Sequence, residues 1–188
     1  MAAKASELQK GQVIQYEGGL YSLSDITRVS KGNWRSYLQI KLKSLKDGRI
    51  TDARFSVDDK VETVYVDTKP YQYLYRDGND FVLMEQVSFD QINVPAEVMG
   101  DAKLYLRGDE IVTVSFIEGN IVAVELPNVV ELTVTDTMPV ARGATATNQT
   151  KEALLETGLR VRVPPFIGNG EVLRIDTRTG EYLERAKG

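Results

Sequence analysis

The 188-residue sequence has no cysteine and no histidine. Without cysteine there are no disulfides and no thiolate chemistry, which suits a cytoplasmic protein. Without histidine the usual acid/base at neutral pH is gone, and the two absences together remove the commonest nitrogen and sulfur metal ligands. A histidine-based triad is excluded, and no zinc site, other metal or cofactor is expected. No run of apolar residues approaches the ~20 needed to span a bilayer, so no membrane partner is expected. The opening MAAKASELQKG lacks the apolar core of a signal peptide. Neither GxxxxGK[ST] nor GxGxxG occurs, so there is no nucleotide loop. Carboxylates are plentiful but scattered; the adjacent pairs, Asp58-Asp59 and Asp109-Glu110, fall at turns. Thr145, Thr147 and Thr150 have no evident base. No catalytic constellation emerges, and the chain is not expected to be an enzyme.

What is present is an uneven distribution of charge. The chain carries net −4, yet residues 1–66 hold eleven basic and eight acidic groups, whereas residues 67–129 hold four and eleven. Residues 130–188 are balanced at eight and eight. A basic module beside an acidic one suits an oriented approach to a polyanion, and is equally what unrelated soluble domains could show. The basic surplus concentrates between Arg28 and Arg54, RVSKGNWRSYLQIKLKSLKDGRITDAR, with eight Lys or Arg against Asp47 and Asp52. Inside it a turn, SKGN, precedes the only tryptophan, Trp34, and then Arg35.

The rest of the chain alternates short apolar strands with turns. Val13–Tyr16 and Leu20–Leu23 form a hairpin, with Gly19 supplying the positive φ of its turn. From Tyr37 the period is two: Ile40 and Leu42 face a core, and Gln39, Lys41 and Lys43 face solvent. After Asp47-Gly48 the strand Ile50–Phe55 follows. Val13, Leu20, Ile40, Leu42, Ile50 and Phe55 form the expected core of a barrel of SH3 size. A second domain opens near Pro70 with the hairpin Tyr71–Tyr75 and Phe81–Met84. Its tyrosines 71, 73 and 75 lie on one strand face, as covered sheet surface or as a stacking platform. Residues 89–99 are the best helical candidate, broken by Pro95. Strands follow at 103–106, 111–116 and 121–126. A third domain begins at Val129, with a long polar loop over 139–152 and strands at 161–163, 172–176 and 181–183. The expected divisions are 1–66, 67–128 and 129–188, all-β, the later two with the strand inventory of OB-type barrels.

Strand-borne Lys41, Lys43, Lys46, Arg49 and Arg54, with Arg28, can line a track for an RNA backbone. Trp34, between Lys31 and Arg35, can stack on a base while the cations hold phosphate, or fold back onto the barrel as its cap. The competing class is an adaptor that binds protein only; steep weakening with salt separates RNA-backbone binding from an apolar contact.

The third domain carries a specific pattern, K-x-A-x4-G-x2-hydrophobic-x-V-P-x2-hydrophobic-x2-G, met by Lys151, Ala153, Gly158, Val161, Val163, Pro164, Ile167 and Gly170. LPNVVELTVTDT, RGATAT and DTRTGEYLER support it, and KLKSLKDGR does so in the first domain. With these motifs the sequence resembles, over essentially its whole length, the bacterial elongation factor P family, which includes the elongation factor P-like paralogue. The resemblance implies three β domains in an L-shaped, tRNA-like outline: a KOW or SH3-like barrel, then two OB-type barrels. It also implies a monomeric factor that binds the 70S ribosome, ribosomal RNA and the P-site peptidyl-tRNA. Such a factor relieves stalling at consecutive prolines by positioning the tRNA for the ribosome's own active centre; the paralogue's role is more specialised. The first-domain tip, Lys31, Gly32, Asn33, Trp34 and Arg35, would reach the CCA end. In the third domain Arg142, Lys151, Arg160, Arg162, Arg174 and Arg178 would be available for phosphate.

In many members a modifying enzyme extends a lysine in a PGKG tip. Counting back without gaps from Ile40-Lys41-Leu42 places Gly32 before that position, Asn33 on it, and Trp34 on the following glycine. Aligning by motif instead makes Lys31 the modified residue.

Overall fold

The computed structural model describes residues 1–32, 34–139 and 149–187, and only the backbone of Lys31, Trp34 and Arg35. Short strands dominate because apolar residues recur at every second position and turns of Gly, Asp and Asn interrupt them every few residues. They form three sheets in series.

The first sheet contains β1 (Ala2–Lys4), β2 (Val13–Tyr16), β3 (Gly19–Lys31), β4 (Trp34–Ser44), β5 (Ile50–Ser56) and β6 (Lys60–Val64), in the order β1-β6-β2-β3-β4-β5. Its core gathers Ile14, Leu23, Leu38, Ile40, Leu42, Phe55 and Val61, with Ala5 and Leu8 from the segment after β1. Each fully buried aliphatic side chain here contributes about 1.5–3 kcal/mol relative to exposure. Of the expected core, Ile40, Leu42 and Phe55 belong to this cluster, Val13 is buried, and Leu20 is half-buried. Ile50 is 63% exposed. The inward residues of β5 are Ala53 and Phe55, so parity puts Ile50 on the outer face with Asp52 and Arg54. The β2–β3 turn also differs from expectation. Tyr16 pairs with Gly19, and the two loop residues, Glu17 and Gly18, carry the positive φ of 47° and 79°. That is the pattern of a primed two-residue hairpin turn. Gly19 is needed for another reason: a Cβ there would lie 2.9 Å from the Tyr21 ring.

The second sheet contains β7 (Asp67–Asp77), β8 (Asp80–Glu85), β9 (Gln91–Pro95), β10 (Ile111–Ile117) and β11 (Asn120–Glu125), in the order β11-β10-β7-β8-β9. The expected helix over 89–99 is mostly strand. Ile92 and Val94 alternate with Gln91 and Asn93 and pair with Leu83 and Phe81 of β8. Only after Pro95 does one helical turn form, α1 (Ala96–Met99), followed by a 3-10 segment, Gly100–Leu104. That segment replaces the strand expected at 103–106; it turns Leu106 into the core and Tyr105 onto the third domain. The tyrosine stripe is interrupted as well. Tyr71 and Tyr73 are buried, but a register shift between Tyr73 and Tyr75 leaves Tyr75 53% exposed. The extra residue, Leu74, behaves as a β-bulge that re-aims the remainder of the strand.

The third sheet contains β12 (Val129–Thr137), β13 (Lys151–Leu155), β14 (Arg160–Val163), β15 (Val172–Asp176) and β16 (Glu181–Arg185), in the order β14-β13-β12-β15-β16. Leu132, Leu155, Val163, Ile167, Leu173 and Ile175 fill its core. The polar loop ends earlier than expected: Lys151 and Glu152 begin β13, because Ala153 and Leu155 of the same strand are drawn inward. Residues 140–148, most of that loop, lie outside the described residues.

The chain forms two compact units, Met1–Asp67 with Ser115–Ala123, and Thr68–Val114 with Val124–Gly188. Within the second unit, the Thr157 hydroxyl donates to the Leu104 carbonyl (2.5 Å), and Arg107 reaches Glu156 (3.5 Å). The Tyr105 ring packs on the third core, and its hydroxyl lies 3.1 Å from where a Cβ on Gly180 would stand. Gly180 also has φ +76°, so glycine is required there twice over.

Candidate nucleic-acid interface

The β3–β4 hairpin is the longest in the protein's first sheet. Its arms have 13 and 11 residues, and Lys31 pairs with Trp34 at the tip. Gly32 has φ +57° with open space around its Cα, so the turn requires it for conformation and not for packing. Two irregularities shape the arms. Ser24 is an extra residue on β3 between the pairs Leu23–Leu42 and Asp25–Lys41, and its hydroxyl donates to the Lys41 carbonyl (3.0 Å). Nearer the tip, the register shifts between Val29 and Lys31, and the Ser30 and Ser36 hydroxyls meet at 3.3 Å. Such bulges add local twist and re-aim the arm beyond them.

Parity sorts the basic residues. Tyr37, Gln39, Lys41 and Lys43 project from the outer face of β4 while Leu38, Ile40 and Leu42 fill the core. Arg54 stands opposite Gln39 on β5, with its guanidinium 3.6 Å from the centre of the Tyr37 ring. This cation–π contact holds the Arg54 fork in place. Lys41 lies in register between Asp25 of β3 and Asp52 of β5, which offset its charge. Lys43 faces Ser22 and Ile50 and has no such neighbour.

The sequence grouping is only partly brought together. Lys41, Lys43 and Arg54 share one face. Arg28 pairs with Leu38 and so projects, exposed, from the opposite face. Lys46 and Arg49 sit in the turn beyond Ser44, at the far end of β4 from the tip, about 33 Å away at the usual strand rise. There Arg49 pairs with Asp47 (3.6 Å). Hydrogen bonding from Ser44 and the Arg49 amide holds the Asp47 carboxyl below its ordinary range. The side chains of Lys31, Trp34 and Arg35, and Asn33 altogether, lie outside the described part of the chain.

In the third domain, Arg142 lies outside the described residues. The Lys151 ammonium donates to the Met138 carbonyl (2.5 Å), and Arg160 pairs with Glu152 (2.6 Å). Arg162 is exposed on the same face of β14 as Arg160. Arg174 pairs with Glu184, and Arg178 forks onto Asp176 (2.8 and 3.1 Å), pulling that carboxyl down to about 2. Of these six arginines and lysines, Arg162 alone is described without an acid or carbonyl partner. Sequence reasoning missed the roles of Tyr37, Asp25 and Asp52; their two-residue spacing from Gln39, Thr27 and Arg54 was the available signal. Among the described residues no three carboxylates gather to hold a metal, and no helix is long and apolar enough to cross a membrane.

Three family models cover nearly the whole chain: the elongation factor P KOW-like domain over 4–61, its OB domain over 66–124, and its C-terminal domain over 130–185. The chain belongs to the elongation factor P family. Elongation factor P of Chloroflexus aggregans is 44% identical over 186 residues, covering 98% of each chain. That of Acidobacterium capsulatum is 42% identical, covering 99% of this chain and all (100%) of its own. Among solved structures, eukaryotic translation initiation factor 5A from Methanococcus jannaschii superimposes with TM-score 0.50 at 16% identity, covering 66% of this chain and 93% of its own. An initiation factor 5A family protein from Naegleria fowleri does so with TM-score 0.50, covering 67% and 98%. These two show the fold alone: a KOW-like barrel followed by OB-type β domains. Family membership makes the chain a translation elongation factor, of a family whose members are non-catalytic.

Proposed function

We propose that this elongation factor P family member works in the cytoplasm, on the 70S ribosome beside the P-site peptidyl-tRNA, and promotes peptide-bond formation where consecutive prolines stall it. The observation that carries this reading is the first-domain hairpin: a long two-stranded arm with Lys41 and Lys43 on its outer face. Domain 1–66 supplies the tip that approaches the CCA end. The acidic domain 67–128 serves as a spacer, and domain 129–188 supplies a second set of contacts to RNA. The factor performs no chemistry. It holds a reactive geometry for the ribosome's peptidyl transferase, and the gain is one of orientation.

The turn geometry bears on the tip-modifying enzyme. Lys31 stands on the strand at the tip, paired with Trp34. This supports the ungapped reading, in which Asn33 occupies the position that other members modify. Asparagine offers no amine to extend, so the bare tip does the work, with Trp34 as rigid surface. Intact mass and peptide mapping across residues 28–40, on protein from its native cells, tests this: an unmodified mass is expected, and an added group on Lys31 or Arg35 would overturn it. The function itself is tested by toeprinting a message with three consecutive prolines in a factor-free translation system. Added protein should dissolve the stall at the proline run. An undiminished stall would refute the reading.

A further inference from the structure

Residues 67–129 hold only four basic side chains against eleven acidic ones. Two of the four are neutralised within the fold. Lys69 pairs with Glu85 (3.3 Å), and Arg107 sits between Glu110 (4.0 Å) and Glu156 (3.5 Å). The other two, Arg76 and Lys103, make no ion pair with any acid among the described residues. They arise on separate elements, Arg76 near the end of β7 and Lys103 in the 3-10 segment, yet they line one cleft of about 280 Å³. Tyr73, Phe81 and Leu106 line it too, and Thr157 of the third domain contributes to its wall.

Arg76 and Lys103 are both exposed and line the same cleft, so an anion entering it meets two cations that no described acid neutralises. The cleft is also pre-shaped. The Arg76 Nε donates to the Gly78 carbonyl (3.0 Å) and its guanidinium lies 5.5 Å from the centre of the Phe81 ring. That fixes the plane of the fork and leaves its two terminal nitrogens for a ligand. Thr157 and Leu104, which also line the cleft, are tied together by a hydrogen bond from the Thr157 hydroxyl to the Leu104 carbonyl. A fixed guanidinium can fork two oxygens of a tetrahedral anion, and a flexible ammonium can meet a third as a point charge. A carboxylate would be satisfied by the fork alone.

We propose that this cleft, at the junction of the second and third domains, binds a phosphate group through Arg76 and Lys103. Free phosphate and the backbone phosphate of ribosome-bound RNA share this chemistry; the second source rests on the function proposed above.

The test has two arms. In the first, melting of the full chain is followed in inorganic phosphate against chloride at equal ionic strength. Native protein should show a saturable rise in Tm. R76Q/K103Q should not, and R76K should keep part of the response, because it keeps the charge. K103Q alone, at an exposed side chain, guards against a folding defect in the double variant. In the second arm, binding to 70S ribosomes is measured across salt concentrations. Loss of one phosphate contact should lower the slope of log affinity against log salt by about 0.7–0.9. A slope change assigns the occupant to RNA. A phosphate response with no slope change assigns it to free phosphate. If native and double-variant proteins respond alike to phosphate and share one salt slope, the proposal is wrong. K43Q in the first-domain hairpin separates the two readings: should it too leave ribosome binding untouched, the RNA reading has failed, while the phosphate arm still decides the cleft.

Discussion

At the scale of single residues, Gly32 and the Asp176–Arg178 pair are the most informative. A Cβ at Gly32 meets no other atom, so any effect of substitution comes from its φ of +57°. Gly32→Ala should cost the hairpin turn about 1–2 kcal/mol. Amide exchange near the tip should speed up while the melting of the whole protein barely moves. Gly32→Asn should recover much of the loss, because asparagine tolerates the left-handed region. The Asp176 carboxyl is held at about 2 chiefly by the Arg178 side chain, then by its amide. A depressed folded value adds stability above the unfolded value near 4 and loses it as pH falls towards 2. Denaturation of R178Q at stepped pH should therefore show a deficit at pH 5–7 that closes by about pH 2. A deficit unchanged across that range would assign the loss to something other than this pair.

At the scale of elements, the β4 strand separates two jobs by parity: core on one side, charge on the other. Leu42 is fully buried, and Leu42→Ala should destabilise the first domain by about 2–5 kcal/mol in chemical denaturation. The outer face makes a finer prediction. Lys41 is offset by Asp25 and Asp52 across the sheet, whereas Lys43 faces Ser22 and Ile50. K43Q should reduce ribosome affinity and its salt dependence more than K41Q. Equal effects would show that cross-strand acids do not screen Lys41. The alternation on β4 was legible in the sequence, as were most strands and the basic hairpin, because a period of two survives in the residue order. What was not legible depended on partners distant in sequence. Ile50 reads as core until the register of β5 against β4 puts it outside. Residues 91–95 read as helix until Leu83 and Phe81 supply strand partners. The bulges at Ser24 and Leu74 have no local signature strong enough to announce them. The surface pairings of Arg160 with Glu152 and of Arg178 with Asp176 were likewise not read from the sequence.

At the scale of the molecule, basic and acidic regions are segregated along the chain, and the second and third domains are joined by specific contacts. The Thr157 hydroxyl, the Arg107–Glu156 pair and the Tyr105 ring against Gly180 make that junction directional. Thr157→Val removes the donor to the Leu104 carbonyl and should cost about 1 kcal/mol, more if that carbonyl is left without water. Faster exchange across 102–108, measured on the full chain, would register the loosening. A factor that works by positioning depends on such stiffness, since a small misplacement at a tip can erase a large rate gain.

The central claim is that the hairpin tip, and not a chemical group added to it, accelerates proline–proline bond formation. The direct measurement is the rate of that bond on purified ribosomes, with unmodified recombinant protein and with its W34A/R35A variant. The expected result is acceleration by the unmodified protein and loss of acceleration in the variant, with ribosome binding largely kept. A variant that accelerates the reaction as well as the native chain, or an unmodified protein that binds and does nothing, would contradict it.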